Sequence, residues 1–171
     1  MIAVAKREVG VLERTGHNDH PHILMYHKSV SEYLYKMRPV AAYCASFVNY
    51  AYKIAGVKVT KVPNPARARD WFLVPERLVI SQQSLKGNRR MMKQPKGGDV
   101  IGYYFAKHSN RISHIEIFLF FDSKDENYFW AIGANTSGRN SAISVDRAGE
   151  GVFLVKRNIK SFHKIFNIID P

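Results

Sequence analysis

Cys44-Ala45-Ser46-Phe47-Val48-Asn49-Tyr50-Ala51-Tyr52-Lys53-Ile54-Ala55, followed by Gly56, decides how this chain is read. Phe47, Val48, Ala51, Ile54 and Ala55 form one continuous apolar face at helical spacing, and Gly56 is a good C-terminal stop. The spacing predicts a helix over 44–55 with Cys44 in its first turn. Upstream, Ile2, Ala5, Val9 and Leu12 share a second helical face, with Lys6, Arg7, Glu8 and Glu13 off it, so residues 2–13 read as an amphipathic helix. Thr15-Gly16-His17-Asn18-Asp19 is a stop and turn. Residues 22–35 read as a short helix carrying Ile23, Tyr26 and Tyr33, and Pro39 then breaks the chain.

Downstream, 60–66 is a Pro-containing loop, 66–73 a short helix, and 81–98 a polar stretch with turns at 87–90 and 95–98. From Asp99 the period changes. Residues 100–106, 113–121, 128–134, 143–146 and 151–156 are rich in β-branched and aromatic side chains and read as strands. Helices first and consecutive strands after predict an α+β fold, with the helices packed on one face of an antiparallel sheet of about five to six strands.

A chain of 171 residues fits a single domain over 1–171, and 46% hydrophobic with 23% charged residues gives no sign of disorder. The charge is unusual: 26 Lys and Arg against 14 Asp and Glu leave +12. Such a surface favours polyanions, whether nucleic acid, an anionic membrane face or an acidic cell-wall polymer, or it serves solubility. The basic residues are scattered rather than gathered into an arm, and no standard nucleic-acid motif is present, so no specific nucleic acid is expected. One cysteine excludes an internal disulfide and four-cysteine zinc patterns. No apolar run of about 18 residues exists, so no membrane-spanning helix is expected. Charge at Lys6 and Arg7 comes too early for a secretory signal, which points to export by another route or a leader outside this sequence.

The thiol is either a small buried hydrophobe or a reactive group. A free thiol ionises near about 8.5 and is a poor nucleophile until it does. The first turn of a helix offers unpaired N–H groups and a partial positive charge that favour the thiolate. A neighbouring imidazole can pair with the thiolate or take its proton. Of the seven histidines, His114 opens the apolar strand His-Ile-Glu-Ile-Phe-Leu-Phe-Phe, where a rigid backbone could hold a base; the alternative is a satisfied core-edge histidine. His17, His20, His22 and His27 cluster in an expected loop at spacings that match no standard metal pattern, so no metal site is expected. A third group should orient the imidazole, and Asn135 ends the strand expected beside His114; its alternative is a plain turn residue.

Together these segments resemble the CHAP domain, the cysteine, histidine-dependent amidohydrolase/peptidase of the papain-like superfamily, in its phage-endolysin form. The likeness runs over most of the chain. Residues 5–13 with Gly16-His17-Asn18-Asp19 resemble the opening helix and its Asn-containing turn, and Ala42-Tyr43-Cys44-Ala45-Ser46-Phe47-Val48 resembles the nucleophile motif. Ala66-Arg67-Ala68-Arg69-Asp70-Trp71, Gly98-Asp99-Val100-Ile101, Ser113-His114-Ile115-Glu116-Ile117, Gly133-Ala134-Asn135-Thr136-Ser137 and Gly149-Glu150-Gly151-Val152-Phe153 resemble the later segments in order.

The resemblance implies a papain-like fold with Cys44 facing His114, and a cofactor-free, metal-free monomer that hydrolyses amide bonds of peptidoglycan as an endopeptidase or N-acetylmuramoyl-L-alanine amidase. Asn18, Tyr43, Arg67, Asp70 and Trp71 are the expected substrate-binding residues, with core packing the alternative for Trp71 and a solvated side chain for Arg67. The protein would be made in a bacterial or phage-infected cytoplasm and act on the wall, its basic surface drawing it to an anionic wall polymer in place of a wall-binding domain. Two positions depart from the family pattern. Gly133 stands where many members carry Glu, and Glu116 stands where a small residue is usual. Strand alternation puts Glu116 on the face of His114, so it is the alternative orienting residue. Rival readings are a papain-like amidase or transferase toxin with another amide substrate, and a non-catalytic basic module that binds wall polymer or nucleic acid.

Overall fold

The helix at the nucleophile forms as its apolar spacing demands. In the computed structural model, which describes residues 1–85, 95–104, 111–137 and 150–169, it is α4, Cys44–Ile54. Gly56 ends it in the left-handed region (φ 74°), with Gly56 N–H donating to Lys53 O at 3.0 Å and Val57 N–H to Tyr52 O at 3.0 Å. That pair of bonds is a Schellman stop, which glycine permits without a Cβ penalty. Phe47, Val48, Ala51 and Tyr52 are buried against the sheet.

The other helices are shorter than their patterns suggest. α1 covers Ile2–Arg7 and stops well before residue 13. Gly10 turns the chain (φ 99°), and its N–H donates to Val152 O at 2.9 Å, while Val11 O accepts from Val152 N–H at 2.9 Å. Leu12 therefore bridges to Gly151 rather than continuing a helix. The expected helix 22–35 is two, α2 Pro21–Val30 and α3 Glu32–Lys36, because Ser31 is extended and its hydroxyl caps Leu34 N–H at 3.2 Å. The segment 66–73 tightens into a 3₁₀ turn over Ala68–Phe72.

The sheet has six antiparallel strands among the described residues: β1 Leu78–Ser81, β2 Val100–Tyr103, β3 His114–Phe121, β4 Tyr128–Ser137, β5 Glu150–Asn158 and β6 Lys164–Phe166, in the order β1-β6-β2-β3-β4-β5. A short α5, Gln82–Leu85, follows β1. The class is thus α+β, with five α-helices among the described residues and an antiparallel sheet. The expected strand at 143–146, the end of 100–106 and the turn at 87–90 lie outside the described residues. Two short elements, β1 at the sheet edge and β6 beside it, have no counterpart in the sequence reading. They are too short to show a period of two.

Both sheet faces are buried. Val100, Ile115, Ile117, Ile132, Ala134 and Val152 pack with Ala5, Ile23, Tyr26, Phe47 and Val48 from the helices. Ile101, Tyr103, Phe118, Phe129, Phe153 and Val155 form a second core with Ile159 and Phe162. Burial on both sides explains why β3 reads as a continuous apolar run. In that setting a buried His114 and Glu116 need specific polar partners.

Candidate active site

Cys44 is the first residue of α4, which packs on β3 and β4. The first N–H groups of a helix have no intrahelical acceptor, and here the Ala45 N–H is hydrogen-bonded to the thiol. Four side-chain contacts fix the backbone just before it. Asn18 Nδ2 donates to Val40 O at 3.1 Å and Ala41 O at 3.0 Å. His27 Nε2 reaches Ala41 O at 3.1 Å, and Asn135 Oδ1 accepts the Tyr43 N–H at 2.9 Å. Because Ala41 O can only accept, Nε2 of His27 carries the hydrogen, and Nδ1 accepts from Ser46 Oγ at 3.0 Å. The nucleophile's approach is thereby held from α2, from the 15–19 turn and from β4.

His114 begins β3 and is hydrogen-bonded to Cys44. Its Nε2 stands 3.3 Å from Glu116 Oε1, which leaves Nδ1 for the thiol. Burial opposes ionisation of Cys44. The hydrogen bond and charge of His114, with the N–H groups of Ile115 and Ala45, outweigh burial and pull the thiol's pKa down. Burial likewise opposes the imidazolium, but Cys44 and Glu116 push His114 up to about 9. For Glu116, burial would raise the carboxyl; His114 and Arg157 instead hold it down at about 2. Cys44 is buried, at 7% exposure.

Glu116 is itself held on both oxygens. Tyr103 OH donates to Oε2 at 2.7 Å and Arg157 Nε to Oε2 at 3.1 Å, while Arg157 Nη2 also donates to Oε1. Arg157 Nη2 reaches Thr136 Oγ1 at 3.2 Å as well. Space for the carboxylate comes from Gly133, directly opposite Glu116 on β4. A Cβ there would lie 2.6 Å from Oε1, so glycine serves here for room and not for backbone freedom.

Asn135, the first choice for orienting the imidazole, does not occupy that role in the geometry. Register alone would bring it near His114, because Glu116 pairs with Gly133. A bulge between Ala134 and Thr136 intervenes, with Asn135 in the left-handed region at φ 56°. The extra residue resets the alternation. Thr136 then meets Arg157 on the Glu116 side, and Asn135 turns to Tyr43 N–H and to Glu150. The acceptor at His114 Nε2 is Glu116.

The expected groove residues separate. Asn18 spends its amide on the 40–41 backbone and braces the site from behind. Tyr43 is 0% exposed, with its ring beside Tyr26, so its side chain presents nothing to a groove. Trp71 is 1% exposed, donates from Nε1 to Pro65 O at 3.1 Å and packs on Tyr52; it is core. Asp70 is buried beside Arg69 Nε at 3.5 Å, and Arg67 is exposed with no contact joining it to Cys44. Of the four histidines expected in a loop, His17 lies in the 15–19 turn, whereas three serve α2: His20 caps it, His22 pairs with Glu8 at 2.8 Å, and His27 is internal. Among the described residues no group of three or more His, Cys, Asp and Glu converges as metal ligands, and no helix is long and apolar enough to cross a membrane.

The sequence reading missed Tyr103 and Arg157. The signal for Arg157 was present: Phe153, Val155 and Arg157 occupy one phase of β5, so an arginine extends an inward apolar row. Comparison with protein-family models, with curated proteins and with solved structures finds no match to this chain.

Proposed function

We propose that this chain is a papain-like, CHAP-type cysteine amidase or peptidase that hydrolyses amide bonds of the cell-wall peptide. One observation carries the reading: a helix-start thiol, with its pKa drawn down, is hydrogen-bonded to an imidazole whose far nitrogen sits 3.3 Å from a buried carboxylate. That is a nucleophile, a base and an orienting group in the order covalent catalysis requires. The choice of wall peptide as substrate rests on the sequence resemblance.

In this mechanism the Cys44 thiolate adds to the amide carbonyl carbon, forming a C–S bond and an oxyanion. The N–H of Cys44, which has no intrahelical acceptor at the first position of α4, donates to that oxygen. The tetrahedral adduct collapses with cleavage of the C–N bond, and the His114 imidazolium gives its proton to the leaving amine. Water then attacks the thioester. His114 takes its proton, the C–S bond breaks, and the carboxylic acid leaves. Glu116 keeps the imidazole in the tautomer and orientation that both transfers need.

Purified sacculi incubated with the protein and with Cys44→Ala, followed by mass spectrometry of the released fragments, test the reading. New amine and carboxyl termini with the wild type, and none with Cys44→Ala, are expected and identify the bond. Equal release by both proteins overturns the proposal.

A further inference from the structure

Arg157 lies on β5, two strands away from His114, and its guanidinium bonds to Glu116 and Thr136. We infer that it is nonetheless a positioning residue for the dyad, acting from two sides at once. Through Nε and Nη2 it grips both oxygens of Glu116, the acceptor for His114 Nε2. Through Nη2 it also holds Thr136 Oγ1 at 3.2 Å, beside the bulge residue Asn135 that fixes Tyr43 N–H and so the residue before Cys44. One planar guanidinium therefore sets the base against the nucleophile. A lysine cannot reproduce the fork, because an ammonium presents a point charge without fixed directions.

The pair also changes what Glu116 offers. The charged and titratable groups around its carboxylate are His114 on its own strand, Tyr103 on β2 and Arg157 on β5, with Cys44 of α4 beyond His114. Tyr103 OH and the guanidinium fill the acceptor positions that His114 does not use. Held by Arg157 on both oxygens, Glu116 presents His114 with a fixed acceptor, in the position a neutral amide takes in Cys-His-Asn sites. The partnership keeps Glu116 ionised through mildly acidic pH, so that its lone pair is always available to Nε2–H. Loss of the guanidinium leaves burial to raise the carboxyl, and its protonation then withdraws the acceptor.

This inference rests on the thiolate–imidazole reading of the site, but its test needs no wall substrate. The rate of Cys44 alkylation by iodoacetamide is measured from pH 4 to pH 9 in the wild type, Arg157→Lys, Arg157→Met and the double variant Glu116→Gln/Arg157→Met, with the melting temperature of each. The wild type is expected to stay reactive into acid. Arg157→Met should gain an acid limb and lose roughly tenfold in rate per pH unit below the freed carboxyl's pKa, and Arg157→Lys should lose less. The double variant, with a neutral acceptor and no charge to match, should fold and show no such limb; it keeps the test open if Arg157→Met alone does not fold. An Arg157→Lys profile that superimposes on the wild type overturns the inference, as does an acid limb that persists in the double variant. A wild-type thiol that reacts only in the ordinary alkaline range removes the dyad itself, and with it the brace.

Discussion

Asn135 Oδ1 accepts the backbone N–H of Tyr43 at 2.9 Å, so β4 holds the residue that precedes the nucleophile. Asn135 does this from a left-handed backbone, a conformation that glycine adopts freely and alanine resists. Two substitutions separate backbone from side chain. Asn135→Gly keeps the bulge and loses the clamp; Asn135→Ala loses the clamp and strains the bulge. Urea denaturation is expected to place Asn135→Ala about 1 kcal/mol below Asn135→Gly. Both should slow Cys44 alkylation relative to the wild type. Equal stability of the two variants would show that the bulge does not need its left-handed residue.

Gly133 should tolerate no side chain. A methyl group 2.6 Å from Glu116 Oε1 must displace the carboxylate, and the carboxylate is tied to Tyr103, Arg157 and His114. Gly133→Ala is expected to destabilise by about 1–3 kcal/mol, the usual range for overpacking a filled interior. It should also lower thiol reactivity, whereas a mere packing defect elsewhere in the sheet would leave reactivity intact. Thermal unfolding together with alkylation kinetics reads both effects.

Stability should follow pH in two directions. Glu116 is held at about 2, below its ordinary 4.5, so its contribution is present above pH 4.5 and is lost as pH falls toward 2. His114 is raised from 6.5 to about 9, so its contribution is present below pH 6.5 and is lost as pH rises through 9. Denaturation midpoints measured from pH 3 to pH 10 should decline at both ends. The acid decline should flatten in Glu116→Gln, and an unchanged acid slope in that variant would dissociate it from Glu116.

His27 is 0% exposed and neutral in its bonding, donating to Ala41 O and accepting from Ser46 Oγ; burial lowers its pKa. His27→Ala removes a buried ring and strands the Ser46 hydroxyl, with an expected loss of about 2–4 kcal/mol. Ser46→Ala leaves only an imidazole nitrogen without its donor and should cost about 1–3 kcal/mol. Chemical denaturation of the two variants orders them. A larger effect for Ser46→Ala would mean that the ring's packing matters less than its hydrogen bond.

α4 was legible in sequence because period, first-turn thiol and glycine stop agree with one another, and β3 to β5 because their apolar runs are long. α1 was over-extended since Val9 and Leu12 keep helical spacing, yet backbone pairing with Val152 and Gly151 claims residues 10–13. The third member of the site turned on a bulge. Strict alternation favours Asn135 and Glu116 alike, and only the left-handed twist at Asn135 separates them. Tyr43 is expected in the groove from its place beside Cys44, and Trp71 either there or in the core; tertiary packing puts both in the core. Arg157 stayed hidden because an inward arginine is identified by its partner, and that partner lies 41 residues away in the chain.

Glu116 and Gly133 form one cross-strand pair, and this has a bearing on how relationships between such chains are scored. A pattern that asks for an acid at position 133 and a small residue at position 116 charges this sequence with two mismatches. In space the two positions are complementary: Gly133 leaves the room that the Glu116 carboxylate fills, and the carboxylate ends beside the ring of His114. A search template written in three-dimensional coordinates, asking for an oxygen near an imidazole nitrogen and ignoring which strand supplies it, would find this site from its geometry alone.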